Sequence, residues 1–152
     1  MIPREYLEHV VEPNIAELDA DYGNIRLALN VVHSLDALAA QIFYGSNGAI
    51  AAKDDLDYRN QLASVSDEFA LLRDIAKAIK HVRLERGDPL VSGGDQVSVA
   101  SIGWGVGRWG EGRWSGPPQA VVATNSGELR YIEQIAQGAL SLLKLELEKW
   151  GL

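Results

Sequence analysis

Between Ser64 and Arg86 the chain reads SVSDEFALLRDIAKAIKHVRLER and carries Arg73, Asp74, Lys77 and His81. Asp74, Lys77 and His81 follow an i, i+3, i+7 spacing, which on a helix sets them above one another along one edge. A carboxylate, an ammonium and an imidazole in that register are groups that hold ions, exchange protons or pair with one another. Asp74 and His81 would join His33 and Asp36 in a bundle metal site if their two helices faced each other. His33 and Asp36, however, lie on the far side of their own segment's apolar stripe. No metal is expected, and a solvated, ion-paired face is the plainer reading.

A second group with chemistry to offer is the Trp104, Arg108, Trp109, Arg113 and Trp114 series within GWGVGRWGEGRWSGPP, which includes the near-repeat VGRWG, EGRWS. Indole faces and guanidinium planes stack on bases, sugars or peptides, and the glycines permit close backbone approach. These residues are the candidate binding surface, with fold-back of tryptophan over a helix pair as the alternative. Gly105, Gly107 and Gly110 match GxGxxG, but no helix follows to meet a pyrophosphate, so dinucleotide binding is rejected. A P-loop, a GxSxG elbow and an HExxH pair are all missing. Asp54, Asp55 and Asp57 lack the glycine and distal glutamate of a calcium loop, and suit a helix start instead. No cofactor is expected.

The elements that must position these residues are mostly helical. Around Arg73, the residues Leu71, Leu72, Ile75, Ala78, Ile79 and Val82 fall on one arc at about 100° per residue, opposite Arg73, Asp74, Lys77, Lys80 and His81. Ser64 and Ser66 serve the start of this helix, which spans 66–86 before Gly87-Asp88-Pro89 stops it. Helices are also expected over 3–20, with Pro13 kinking it or starting a second piece, over 24–44, and over 129–150. A short helix is placed from Asp54 to Leu62. The back of the 24–44 helix carries Arg26, Asn30, His33, Ala37, Ala40 and Tyr44, flat enough to receive another helix or a second subunit.

Residues 87 to 127 differ in composition, with ten of the 15 glycines and three of the four tryptophans. Gln96-Val97-Ser98-Val99 and Gln119–Thr124 alternate or branch like strands, giving a β excursion over about 95–125. Asn125-Ser126-Gly127 either caps the last helix or turns a hairpin, which would make Glu128–Tyr131 a third strand. The expected fold is α+β and predominantly α: a single domain built as a bundle of about four helices, with a small antiparallel β element before the C-terminal helix.

Composition narrows the function classes. The 152 residues include no cysteine, which removes disulfides, thiolate catalysis and cysteine-held metal. No apolar run reads as a membrane span and the start does not read as a signal peptide, so a soluble cytoplasmic protein is expected. A net charge of −7 disfavours general nucleic-acid binding. The charge is uneven: residues 1–22 hold six acids against Arg4, while Arg73, Lys77, Lys80, Arg83 and Arg86 form a basic stripe.

Arg73-Asp74 followed by His81 resembles the arginine-polar-spacer-histidine motif of HEPN domains, small helical bacterial proteins that include many ribonucleases and are often dimeric. The resemblance implies that Arg73 binds the scissile phosphate and that His81 moves a proton at the 2′-hydroxyl, with Asp74 as the adjoining polar residue. Seven residues separate Arg73 from His81, one more than the usual spacing, and the acidic chain and β excursion depart from the pattern. The residues themselves favour a non-enzymatic binding or assembly protein, acting as a homo-oligomer or on a protein partner. The alternative is a HEPN-like metal-independent ribonuclease.

Overall fold

The computed structural model describes residues 1–101 and 116–152 of the chain. Its architecture is α+β and mainly helical, with a three-stranded antiparallel sheet before the C-terminal helix. The chain opens with α1 (Pro3–Tyr6), a π turn (Leu7–Val11) and α2 (Glu12–Ala20). Pro13 explains the π turn. It has no N–H to donate, and in a regular helix its ring would press on the carbonyl four residues back. Widening the preceding turn, so that the Glu12 N–H donates to the Leu7 carbonyl, lets the helix continue past it.

Helix α3 (Ile25–Gly45) starts where Asn24 accepts the Leu27 N–H at 3.3 Å. By length and composition it could cross a membrane, but its stripe of Val31, Leu35, Leu38 and Ile42 is buried among the other helices. Helix α4 (Asp55–Val65) is capped by Asp54, which accepts the Asp57 N–H at 2.8 Å. Helix α5 (Asp67–His81) is capped by Ser66, which accepts the Phe69 N–H at 3.1 Å. The three aspartates at 54, 55 and 57 thus sit at a helix start, where the dipole favours them.

Helix α5 ends five residues before the Arg86 boundary that periodicity suggests. The Arg83 N–H turns back to the His81 carbonyl at 2.7 Å, closing a γ-turn centred on Val82 at φ 63 and ψ −44. Val82 therefore leaves the helix and is 79% exposed, although its place in the helical period would put it in the core. From there Arg83 bridges to Gly93 and the Leu84 N–H donates to Ser92 at 2.7 Å, so residues 83–93 fold back as a loop. Arg83 and Arg86 belong to this loop and not to the helix.

The sheet order is β1-β2-β3, formed by Val97–Ala100, Gln119–Ala123 and Leu129–Tyr131. Val97 pairs with Val122, and Val122 with Arg130. The central β2 is buried along most of its length, which its apolar run Ala120-Val121-Val122-Ala123 suits. Between β2 and β3 the chain makes a tight hairpin: the Thr124 N–H donates to Glu128 at 2.8 Å, and Gly127 sits at φ 86. The hairpin reading of Asn125-Ser126-Gly127 is the one observed. Residues 129–131 are strand, so α6 (Ile132–Trp150) begins three residues later than the 129–150 span implies.

One continuous apolar core joins α3, α5 and α6, with Leu35, Leu38, Phe69, Leu72, Ile75 and Leu143 fully buried. Each such side chain contributes about 1.5–3 kcal/mol relative to exposure. Helix α6 lies on α5 so closely that a Cβ at Gly138 would meet Glu68 Cγ at 2.5 Å. Helix α4 lies against both α3 and α5, burying Tyr58 and Leu62 in the core, while its Arg59 and Asn60 meet polar residues of α3 and α5 along a polar seam.

Candidate functional site

Two features stand out: the polar seam and a groove at the end of α5. In the seam, Arg59 of α4 donates from Nη1 to Asp36 of α3 at 2.8 Å, from Nε to the Asp55 carbonyl at 3.3 Å, and from Nη2 to the Asp55 carboxylate. Arg73 of α5 donates from Nε to Asp74 Oδ1 at 3.0 Å and from Nη1 to Asn60 at 2.9 Å. The other Asp74 oxygen accepts the Leu90 N–H at 2.8 Å. Asp74 is only 2% exposed, so its assignment to a solvated stripe is corrected: it is a buried carboxylate. It tolerates burial because both oxygens are bonded and one neighbour is a cation.

Lys77 stands one turn beyond Arg73. Among the described residues it makes no hydrogen bond or ion pair, yet it is partly buried. Burial, and then the nearby Arg73 guanidinium, hold its pKa below the ordinary lysine value. Asp36 is shifted the other way for its type. Burial raises its pKa although Arg59, His33 and Lys77 all favour its charged form. The seam is thus a set of charges held partly out of water, where their mutual effects are larger than on an open surface.

The structure brings Asp36, Arg73 and Asp74 into this seam together with Arg59 and Asn60. It leaves His33 exposed beside Asp36, and His81 exposed at the last residue of α5. Eight positions separate Arg73 from His81 on the same helix, about 12 Å of rise. Among the described residues no group of three His, Asp or Glu side chains is disposed to hold a metal ion. Trp104, Arg108, Trp109, Arg113 and Trp114 lie outside the described residues. Arg59 and Asn60 were missed by sequence reasoning. Their signal was available only as a polar i, i+4 pair, Asp55–Arg59, on a weakly amphipathic segment.

The groove has a volume of about 770 Å³. Its apolar lining comes from Ile25 and Leu29 of α3, Ile79 of α5, Val82 and Val97, and its polar rim includes Arg83, Asp95, Gln96 and Asn125. The rim is firmly built. Gln96 Oε1 accepts the N–H groups of Ser92 and Gly93 at 2.7 and 2.8 Å, while its amide donates to the Ala123 carbonyl at 2.7 Å. Asn125 donates to the Pro89 carbonyl and to Ser92 Oγ, both at 2.7 Å. These side chains spend their polar groups internally, so the groove offers mainly apolar surface: Ile25 is 36% and Val82 79% exposed. Comparison with protein-family models, with curated proteins and with solved structures gave no match.

Proposed function

We propose that this chain is a non-enzymatic assembly protein that pairs with a second copy of itself through the groove at the end of α5 and the outer edge of β1. The observation that carries the reading is Val82. A β-branched residue at φ 63 is held in a γ-turn with its isopropyl group in water. Such strain costs on the order of 1–3 kcal/mol. A contact that covers Val82 and Ile25 would offset both the strain and the exposed apolar surface.

The neighbouring strand supports the same partner. Strand β1 is terminal in the sheet, and its sequence Val97-Ser98-Val99-Ala100 has none of the charges or prolines that blunt an edge. Val99 is 42% exposed. Two copies of one edge can pair antiparallel about a two-fold axis, which makes the contact self-complementary. The test is the mass in solution by sedimentation and light scattering. A dimer is expected, with Val82→Asp and Val99→Lys each shifting it to monomer while circular dichroism stays unchanged. A wild-type protein that remains monomeric at high concentration ends this reading.

The ribonuclease alternative needs Arg73 free to meet a phosphate and His81 beside it. The Arg73 guanidinium is engaged by Asp74 and Asn60, which weighs against it. RNA cleavage in chelator that is lost on His81→Ala would restore that alternative.

A further inference from the structure

Asn47 and Gly48 follow directly on the end of α3, at the centre of a tight turn that the Ala49 N–H closes on the Ser46 carbonyl at 3.0 Å. Both have positive φ, 50 for Asn47 and 86 for Gly48, the signs that a type I′ turn requires. Asparagine visits this region more readily than most side-chain-bearing residues, and glycine does so without a steric cost. Both residues are exposed, and a Cβ added at Gly48 would meet nothing within 4 Å. Among the described residues neither the Asn47 side-chain amide nor the Gly48 N–H has a hydrogen-bond partner.

The chain has five other asparagines, and each is held differently. Asn14, Asn30 and Asn60 lie inside α2, α3 and α4, where the helical backbone keeps the next nitrogen away from the side chain. Asn24 is tied up as a cap, accepting from the Leu27 N–H at 3.3 Å and donating to Asp21 at 3.1 Å. Asn125 is pinned from three sides: its oxygen accepts from Gln96 at 3.0 Å, and its amide donates to the Pro89 carbonyl and to Ser92 Oγ, both at 2.7 Å. Asn47 alone is followed by glycine. It alone joins an unbonded side chain to an unbonded, unhindered neighbouring nitrogen.

We infer that Asn47-Gly48 is a self-modification site, at which the folded protein converts Asn47 to aspartate and isoaspartate without an enzyme. The Gly48 amide nitrogen, giving up its proton to base in the solvent, attacks the Asn47 side-chain carbonyl carbon. A bond forms between Gly48 N and Asn47 Cγ, the Cγ–Nδ2 bond breaks, and ammonia leaves with a proton supplied by water. The product is a five-membered cyclic imide. Water then opens it at either carbonyl: breaking the bond from nitrogen to Cγ gives aspartate, and breaking the bond to the main-chain carbon gives isoaspartate. The net change is one water consumed and one ammonia released, with no oxidation or reduction.

Either product alters the end of α3. A carboxylate at position 47 adds negative charge beside a helix C-terminus, where the dipole disfavours it. The isoaspartyl form also routes the backbone through the side chain, which lengthens the turn that the Ala49–Ser46 bond closes.

The test incubates the purified full chain in water enriched in heavy oxygen, at neutral and mildly alkaline pH, both native and unfolded in urea. Peptides are then read by tandem mass spectrometry with a fragmentation that separates aspartate from isoaspartate. In the native chain Asn47 is expected to react before every other asparagine and to yield both products carrying heavy oxygen. Its conversion should be faster at the higher pH and within about tenfold of its rate in urea. Asn125 should accelerate by about tenfold or more in urea, where its three bonds are gone. Aspartate without isoaspartate overturns the attack by Gly48. A native Asn47 that outlasts Asn125, or that reacts more than about tenfold slower than in urea, overturns the inference that the fold leaves this pair free to react.

Discussion

Asp74 and Leu90, sixteen residues apart, are joined by a hydrogen bond of 2.8 Å from the Leu90 N–H to a carboxylate oxygen that is itself out of water. This bond ties the loop after α5 back onto the middle of the helix. It also fixes Arg73 through the other oxygen, so one side chain couples the polar seam to the wall of the groove. Replacing Asp74 with alanine strands a backbone donor and removes the Arg73 counter-charge. The expected cost is about 2–4 kcal/mol, and Asp74→Asn, which still accepts one bond, costs about half of that. Urea denaturation measures the total. Amide exchange at Leu90 separates local release of the loop, which should appear in both variants, from global unfolding.

A second, half-buried carboxylate sets a pH dependence. Glu146 Oε2 of α6 accepts the Tyr58 hydroxyl at 2.9 Å and the Trp150 indole N–H at 2.9 Å, and its other oxygen accepts Lys149 at 3.0 Å. Burial raises the Glu146 pKa, but bonds from Trp150, Lys149 and Tyr58 together outweigh it and leave the pKa below the ordinary glutamate value. A depressed folded-state pKa contributes stability that is fully present above the unfolded pKa and is lost as pH falls through the folded one. Glu146→Gln should therefore flatten the acid limb of the stability curve below about pH 4.3. Tyr58→Phe should cost about 1 kcal/mol at neutral pH, since it removes one donor to a charged acceptor. Thermal melts across an acid pH series check both, and an unchanged acid limb in Glu146→Gln would falsify the assignment.

The helical periods of α3, α5 and α6 were legible in the sequence because apolar residues three and four apart define a face whatever the face packs on. The caps at Asp54 and Ser66 were legible for the same local reason. The end of α5 was not. Lys80, His81, Val82 and Arg83 continue a good helix, and it is the capture of Leu90 by Asp74, the Arg83–Gly93 bridge and the Leu84–Ser92 bond that hold the chain away from the helix after Val82. Both are tertiary contacts across a glycine-rich loop, which no local signal records. The polar seam was half legible. Asp36, Arg73 and Asp74 were visible as unusual residues, but the guanidinium that unites them, Arg59, comes from α4, whose own pattern is weak.

Lys77 should show the cost of holding a charge partly out of water. Burial, and then the nearby Arg73, lower its pKa in the fold, so the ammonium is less favoured there than in the unfolded chain. Stability then rises with pH as the lysine loses its proton between the folded and unfolded pKa values. Lys77→Met keeps the packing stem and removes the charge. It is expected to stabilise the protein at neutral pH by about 0.5 kcal/mol, a small gain because solvent screens much of the effect. The gain should shrink as pH approaches the unfolded lysine value. Denaturation midpoints at neutral and alkaline pH provide the comparison.

Val82 should separate stability from assembly in a single substitution. At φ 63 a valine is strained, whereas glycine occupies that region without a Cβ penalty. Glycine also gains more freedom in the unfolded chain, which offsets about 0.5–1 kcal/mol of the relief. The strain of a γ-turn at a β-branched residue is the larger quantity at about 1–3 kcal/mol, so Val82→Gly is expected to stabilise the monomer by about 1 kcal/mol. The same change deletes the most exposed apolar side chain lining the groove. Self-association should therefore weaken while the melting temperature measured in dilute solution rises. If the variant instead associates as strongly as wild type, Val82 is no part of the contact. If it loses stability, the γ-turn is held without strain, and the case for a compensating partner goes with it.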